Sequence, residues 1–409
     1  MNPYRLAPPP RWWPPALKPG LVRMLRPLRR RQCVREHKLT HVRVCGAKHV
    51  QDALAEGYGV LITPNHPTHA DAYTVYEASD HVGMPFYFMA TWHLFDSRNF
   101  LGRWMLQWHG VFSVDREGTD LRAFKQAVKT LQNSSHPLVI FPEGEVYHCN
   151  DRVTIFREGA AAIALSAAKR AKRPIACVPC ALKYEYLEDP TGELLQLMAE
   201  LEQSIYWRPR PDLPLDQRIY KFAEAVLALK EMEFYGHTIS GSLPERIDAL
   251  ANEILRRLET RHGISPDNST IPERVKELRR IAIERLEDIE EDHPEREQIN
   301  DGLDDLFLVV QLFSYPGDYV AEQPSIERLA ETLDKFEEDA LGKYGAKARS
   351  ARQATVYFGE PIAVESGRRR EAAVELTDLL ERQVQELLDG HAAGNETMDQ
   401  GADATMDGR

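Results

Sequence analysis

The chain has 409 residues, 43% hydrophobic and 28% charged, which excludes a wholly disordered or collagen-like protein and leaves mass for two or three domains. Its five cysteines are scattered and odd in number, so a disulfide framework is not expected and a reducing compartment fits better. Net charge is −12; no apolar run approaches the roughly 20 residues of a spanning helix, and no signal-peptide stretch is visible.

Charge is unevenly spread. Residues 1–50 hold twelve Lys and Arg against one acid, Glu36, while the remainder is strongly acidic. Residues 1–20 are Pro-rich, carry Trp12 and Trp13, and are not expected to form a regular element. Residues 21–31 read as a short amphipathic helix, with Leu21, Val22, Met24, Leu25 and Leu28 at helical spacing, arginines around them and a kink at Pro27. This composition predicts that residues 1–35 contact an anionic membrane surface. The plainer reading docks the helix on its own domain, with the arginines in water. Nucleic acid is not expected, because no helix-turn-helix or interleaved aromatic pattern accompanies the charge.

From residue 40 to 185 strands and helices alternate. His41–Cys45, Gly59–Thr63, Phe86–Ala90, Leu138–Phe141 and Ile175–Leu182 are apolar strand candidates. Helices are expected at Asp71–Ser79, at 119–132 and at Phe156–Lys169. Alternation of this kind predicts an α/β fold with a mixed, mainly parallel sheet flanked by helices. Residues 190–353 then follow a helical period in six segments: Leu194–Tyr206, Leu215–Phe234, Pro244–Arg261, Pro272–Ile289, Asp301–Phe313 and Ser325–Leu341. They read as an all-helical insertion before the last strand, Ala354–Phe358, which is followed by a helix at 370–389. The expected domains are a membrane-contact segment at 1–39, an α/β domain at 40–189 plus 354–389, the insertion at 190–353, and a disordered tail at 390–409.

Three segments follow apolar strands, where α/β sheets collect ligands. In Asn65-His66-Pro67-Thr68-His69-Ala70-Asp71, a His and an Asp five apart lead into a helix. The turn can fold the carboxylate onto one ring nitrogen, leaving the other to take a proton, which is a general base with its orienting group. In Gly110–Arg116 an arginine at a strand end suits an anionic oxygen. In Phe141-Pro142-Glu143-Gly144, the glycine permits close backbone approach.

These segments resemble the glycerolipid acyltransferases of the bacterial 1-acylglycerol-3-phosphate acyltransferase type. Asn65, His66 and Asp71 match that family's His-x4-Asp block, and Phe112–Arg116 looks like its second. Phe141–Gly144 is similar to its Phe-Pro-Glu-Gly block, and Arg157-Glu158-Gly159-Ala160, Val178-Pro179 and Gly359–Ile362 resemble later segments. A lone His-x4-Asp is weak evidence, whereas four ordered blocks at family-like spacing are specific. The resemblance covers about 40–185 and 354–388, and the helical insertion departs from short family members. It implies transfer of an acyl group from acyl-CoA or acyl carrier protein, the donor co-substrate, to a hydroxyl of a lipid or other alcohol, with lysophosphatidic acid or glycerol-3-phosphate as candidate acceptors. His66 would be the base and Asp71 its orienting group. Asn65, Thr68, Arg116, Phe141, Pro142, Glu143 and Gly144 would bind substrate. No cofactor and no metal are implied, and the expected place is cytoplasmic, peripheral on the inner face of a membrane.

One departure bears on the acceptor. Many relatives continue the third block with Thr-Arg-Ser; this chain has Glu145-Val146-Tyr147. Glu145 should repel a phosphate unless Arg152 or Arg157 compensates. Rival readings remain open at this stage. His66, His69 and Asp71 could be metal ligands of a hydrolase, although no second ligand cluster is evident. His148 is more simply a hydrogen-bonding neighbour. Cys177-x-x-Cys180 has redox spacing, but i and i+3 on a strand face opposite ways, so two buried thiols are expected. The helical block could also be the working part, on a catalytically weak acyltransferase-like scaffold that binds membranes.

Overall fold

The computed structural model describes residues 11–116, 120–170, 172–265, 269–290, 292–322, 324–343, 345–365, 371–392 and 404–405. The chain divides into two compact units. One is the α/β unit, Arg11–Pro190 with the chain from Lys347 onward; the other, Thr191–Ala346, is helical. The amino-terminal ten residues, most of the expected tail and residues 366–370 lie outside the described residues.

The sheet of the α/β unit is built from β1 (Leu39–Cys45), β2 (Gly59–Pro64), β3 (Tyr87–Thr91), β4 (Val111–Val114), β5 (Leu138–Val139), β6 (Ile175–Tyr186), β7 (Arg352–Phe358) and β8 (Ile362–Ala363). A short β9 (Ala404–Thr405) adds antiparallel beside β1. The order is β4-β3-β5-β2-β6-β7-β1, with β8 pairing β6 off this path. Pairs from β4 through β6 are parallel. The long β6 then meets β7 and β8 antiparallel, which makes the sheet mixed but mainly parallel.

Burial on both faces explains the uninterrupted apolar runs. In β2, Val60 and Ile62 point into one core and Leu61 into the other. On β6, Cys180 packs in the first core and Cys177 in the second. The two thiols therefore face opposite sides of the sheet, and all five cysteines are buried thiols outside any disulfide. Burial pushes the Cys177 thiol up to about 12, which makes it a poor nucleophile. Gly59 starts β2 where an added Cβ would lie 2.1 Å from the Leu131 carbonyl oxygen, so only glycine lets the strand pass there.

Several element boundaries differ from the sequence reading. The helix expected at Phe156–Lys169 begins at Gly159. Phe156 is still loop, its N–H donating to Glu381 at 2.7 Å. Helices at Ala47–Ala55, Trp92–Asp96 and Phe100–Trp108 were not expected; each is short, from five to nine residues. The last starts on an Asn99 side-chain cap that accepts from the Gly102 N–H at 2.9 Å.

The basic head is not a separate segment from Arg11 onward. It forms helices at Pro19–Met24 and Arg26–His37, with Pro27 in the first turn of the second, where a missing N–H costs nothing. The Trp pair, expected at a membrane surface, is packed inward instead. Trp12 meets Phe112 edge-on, and Trp13 stacks on Phe95 with centroids 5.9 Å apart. Arginines expected in water or on an anionic surface are engaged as well. Arg26 and Arg29 each reach Asp80 at 2.9 Å, and Arg30 reaches Glu77 at 2.6 Å. Glu77 is buried, and a buried carboxylate needs such partners.

The helical unit contains long helices at Thr191–Ser204, Leu215–Tyr235, Leu243–His262, Ile271–Asp288, Glu295–Phe313 and Ile326–Leu341. Leu250, Ile254, Leu258, Leu278, Leu303 and Leu306 are at the centre of its core. Ser242 with Glu245 and Thr270 with Glu273 form capping boxes that start two of these helices, with Pro244 and Pro272 in their first turns. Among the described residues, no helix is long and apolar enough to cross a membrane.

Candidate active site

β2, β4 and β5 run parallel with the shared neighbours β3 and β6, so their carboxyl ends open on the same edge of the sheet. That edge presents His66 after β2, Arg116 after β4 and Phe141 after β5. Asp71 begins the helix Asp71–Val82. A carboxylate is favoured there by the helix N-terminus.

The carboxylate folds back onto the imidazole. His66 Nδ1 lies 2.7 Å from Asp71 Oδ2. Because a carboxylate only accepts, Nδ1 carries the hydrogen and Nε2 is left with a lone pair. Asp71 is fully buried, while the His66 side chain keeps 22% exposure. Among the described residues, Nε2 has no hydrogen-bond partner. Asp71 is held from three sides: Oδ2 also accepts from the Thr68 N–H at 3.1 Å, and Oδ1 accepts from the Tyr184 hydroxyl at 2.7 Å. Tyr184 then accepts from Thr74, 2.7 Å away and one turn further along the same helix.

Two asparagines brace the strand that carries Tyr184. Asn65 donates to the Leu182 carbonyl at 3.1 Å and accepts from the Leu182 N–H at 2.7 Å. Asn150 does the same for Tyr184, at 2.7 Å in both directions. Each side-chain amide thus copies a missing rung of the β ladder where β2 has stopped and β6 continues. This corrects the expectation for Asn65: it is wholly buried, both ends of its amide are engaged, and it braces β6 rather than offering a donor to substrate. Losing either rung would leave strand groups unsatisfied, at about 1–3 kcal/mol each.

The Phe141–Gly144 segment forms the other wall. Phe141 stacks on the His66 ring with centroids 4.2 Å apart. Pro142 is buried, and its carbonyl accepts from the Arg157 N–H at 2.9 Å. Glu143 was expected to hold an acceptor. Its Oε1 instead accepts from the His66 N–H at 3.2 Å and its Oε2 from the Thr154 hydroxyl at 2.6 Å. It ties the two walls together. Gly144 has φ +80°, and an added Cβ would meet the Arg157 guanidinium at 2.9 Å. Its carbonyl accepts from Arg116. Arg116 also pairs with Glu145 at 2.9 Å, so the arginine expected to bind an anionic substrate already holds an internal carboxylate. The long loop is pinned from behind by the helix Ala372–Ala392, through Glu381 on Phe156 and Gln385 on the Val153 N–H.

Burial pushes the Glu143 carboxyl up to about 8, against the opposing hydrogen bonds from Thr154 and His66. The native pKa lies above the ordinary value near 4.5, so the folded chain holds an extra proton between the two. This contribution to stability is full below about pH 4.5 and is lost as pH rises through about 8. Glu143→Gln, which keeps the size and an acceptor, is expected to flatten the fall in melting temperature over that window. An unaltered slope would rule out Glu143 as its source.

Sequence reasoning did not find Tyr184, Thr74, Asn150 or Thr154. The one available signal was Tyr184 itself. It sits at the alternating inward position of a strand, and a buried tyrosine hydroxyl needs a partner.

Residues 41–183 match the family model named Acyltransferase. This stretch, from His41 in β1 to Lys183 in β6, carries the His66–Asp71 pair and all the site loops, and it is an acyltransferase domain of the glycerolipid acyltransferase family. A search of curated proteins finds no match to the chain.

Proposed function

We propose that the protein is an O-acyltransferase that moves a fatty acyl group from a thioester, acyl-CoA or acyl carrier protein, to a hydroxyl of a glycerolipid-type acceptor. The observation that carries this reading is the His66 Nδ1–Asp71 contact of 2.7 Å, which leaves Nε2 with its lone pair on a partly exposed ring. An acceptor hydroxyl that donates to Nε2 gives up its proton as its oxygen attacks the thioester carbonyl. The new C–O bond forms, the C–S bond breaks, and the thiolate leaves and takes a proton. Buried Asp71 stabilises the imidazolium formed on the way. Phe141, stacked on the ring, and Thr68, bonded to Asp71, keep the pair in register. No residue of the chain need be acylated.

The test is incubation of the purified protein with radiolabelled acyl-CoA and a panel of lipid alcohols. A labelled, base-labile ester together with free CoA is expected. Intact thioester with every acceptor and either donor would overturn the reading.

The same proposal places the protein on a membrane surface, since its acyl chains are lipid-borne. Met24 and Leu28 are 67% and 60% exposed on the two amino-terminal helices, beside exposed Arg23 and Lys18. An apolar pair flanked by basic residues suits shallow insertion among anionic headgroups. Met24→Glu with Leu28→Glu leaves the Asp80 and Glu77 ion pairs untouched. The double variant is expected to bind phosphatidylglycerol vesicles about tenfold more weakly in co-sedimentation. Equal sedimentation of variant and wild type would remove this surface from the proposal.

A further inference from the structure

We propose that Glu145 fills the anion position of Arg116, so that the acceptor presented to His66 has an uncharged, hydroxyl-bearing head and no phosphate. This rests on the acyl-transfer reading and narrows its acceptor class.

The geometry is local and complete. Arg116 leaves the end of β4 and reaches across to the Phe141–Glu145 loop. It donates to the Gly144 carbonyl and pairs with Glu145 at 2.9 Å. The two side chains are 26% and 30% exposed, so the pair lies at the mouth of the site rather than deep in the core. On its other side the loop meets Arg157, whose guanidinium packs against Gly144. Arg157 also bonds the Tyr147 hydroxyl. Burial opposes ionisation of Glu145, but Arg116 and then Arg157 outweigh it and hold the carboxyl below its usual range. Glu145 therefore stays charged at neutral pH, and its field also reaches His66.

Two guanidiniums face one fixed carboxylate: Arg116 is paired with it in hydrogen-bond contact, and Arg157, the cation that could compensate for a phosphate, is turned onto Gly144 and the Tyr147 hydroxyl while its charge also acts on Glu145. A phosphate that approached Arg116 would have to displace Glu145 and then lie beside the carboxylate it had displaced. Like charges brought together in a partly desolvated cleft are a strong element of discrimination. Replacement of the pair by a cationic head is equally disfavoured, because Arg116 is already there. An uncharged polyol head meets no such penalty. Its hydroxyls both donate and accept. They match a mouth that offers carboxylate oxygens and guanidinium N–H groups together.

Two measurements decide it. The first compares monoacylglycerol with lysophosphatidic acid of the same acyl chain as acceptors for labelled acyl-CoA. Wild type is expected to favour monoacylglycerol at least tenfold in kcat/KM, and Glu145→Gln to shift the ratio at least tenfold toward lysophosphatidic acid. Wild-type preference for the phosphate-bearing acceptor overturns the inference. The second does not depend on turnover: the melting temperature is followed with glycerol-3-phosphate at about 10 mM. Wild type is expected to show no shift and Glu145→Gln a stabilisation. Stabilisation of wild type overturns the inference whatever the acylation assay gives, and so does a folded Glu145→Gln that gains none. Failure of every acceptor in the first assay, with the second as expected, would count against acyl transfer and not against the role of Glu145.

Discussion

Replacing His66 with alanine is expected to lower kcat for acyl transfer by about 10²–10⁴-fold, with KM for the acyl thioester changed much less. That range is what a positioned general base contributes. The imidazole Nδ1 is fixed on Asp71 at 2.7 Å, and the ring is braced by Phe141. The backbone N–H of His66, not its side chain, donates to Glu143, so His66→Ala keeps that link between the walls. The variant should therefore fold, and a melting temperature close to wild type would show that chemistry rather than structure was removed. Equal ester formation by wild type and His66→Ala would end the general-base assignment.

Asp71→Asn is expected to cost roughly 10²–10³-fold in kcat while largely preserving geometry. The three donors around Asp71 define the reason. The Thr68 N–H and His66 Nδ1–H both point at Oδ2, so the asparagine oxygen must take that place. Its NH2 then faces Tyr184, whose hydroxyl can accept and turn its own hydrogen to Thr74. The imidazole tautomer survives, but the negative charge that stabilises imidazolium does not. On the proposed mechanism His66 and Asp71 act as one unit, so the double variant His66→Ala/Asp71→Asn should be no slower than His66→Ala alone, within about twofold. Additive losses in the double variant would show that Asp71 acts on something other than His66. Tyr184→Phe supplies an internal control: it removes one hydrogen bond to Asp71 and leaves the charge, so its loss should be much smaller than that of Asp71→Asn.

The contact of His66 with Asp71 was legible in the sequence because the two are five residues apart and a strand-loop-helix unit brings them together locally. The Phe141–Gly144 and Arg116 segments were legible for a similar reason, since each follows an apolar strand. What each side chain does there was not legible. Asn65 looked like a ligand donor and is a rung on β6. Glu143 looked like an acceptor-binding acid and joins two loops. Arg116 suited an anionic oxygen of substrate and holds Glu145. Trp12, Trp13, Arg26, Arg29 and Arg30 had the composition of a membrane anchor and are engaged by the α/β unit.

Hydrophobic period, turn residues and local spacing are properties of neighbours along the chain. They suffice for the alternating strands and helices, the long helical stretch at 190–353 and the placing of His66 beside Asp71. Partner choice for a buried polar group is a property of neighbours in space. Tyr184 reaches Asp71 over 113 residues, and Asn65 reaches Leu182 over 117. Burial leaves such groups no water to fall back on, so each must bond to whatever the packed sheet sets beside it. Folding the chain, and not its order, therefore decided which charges remain available at the mouth of the site.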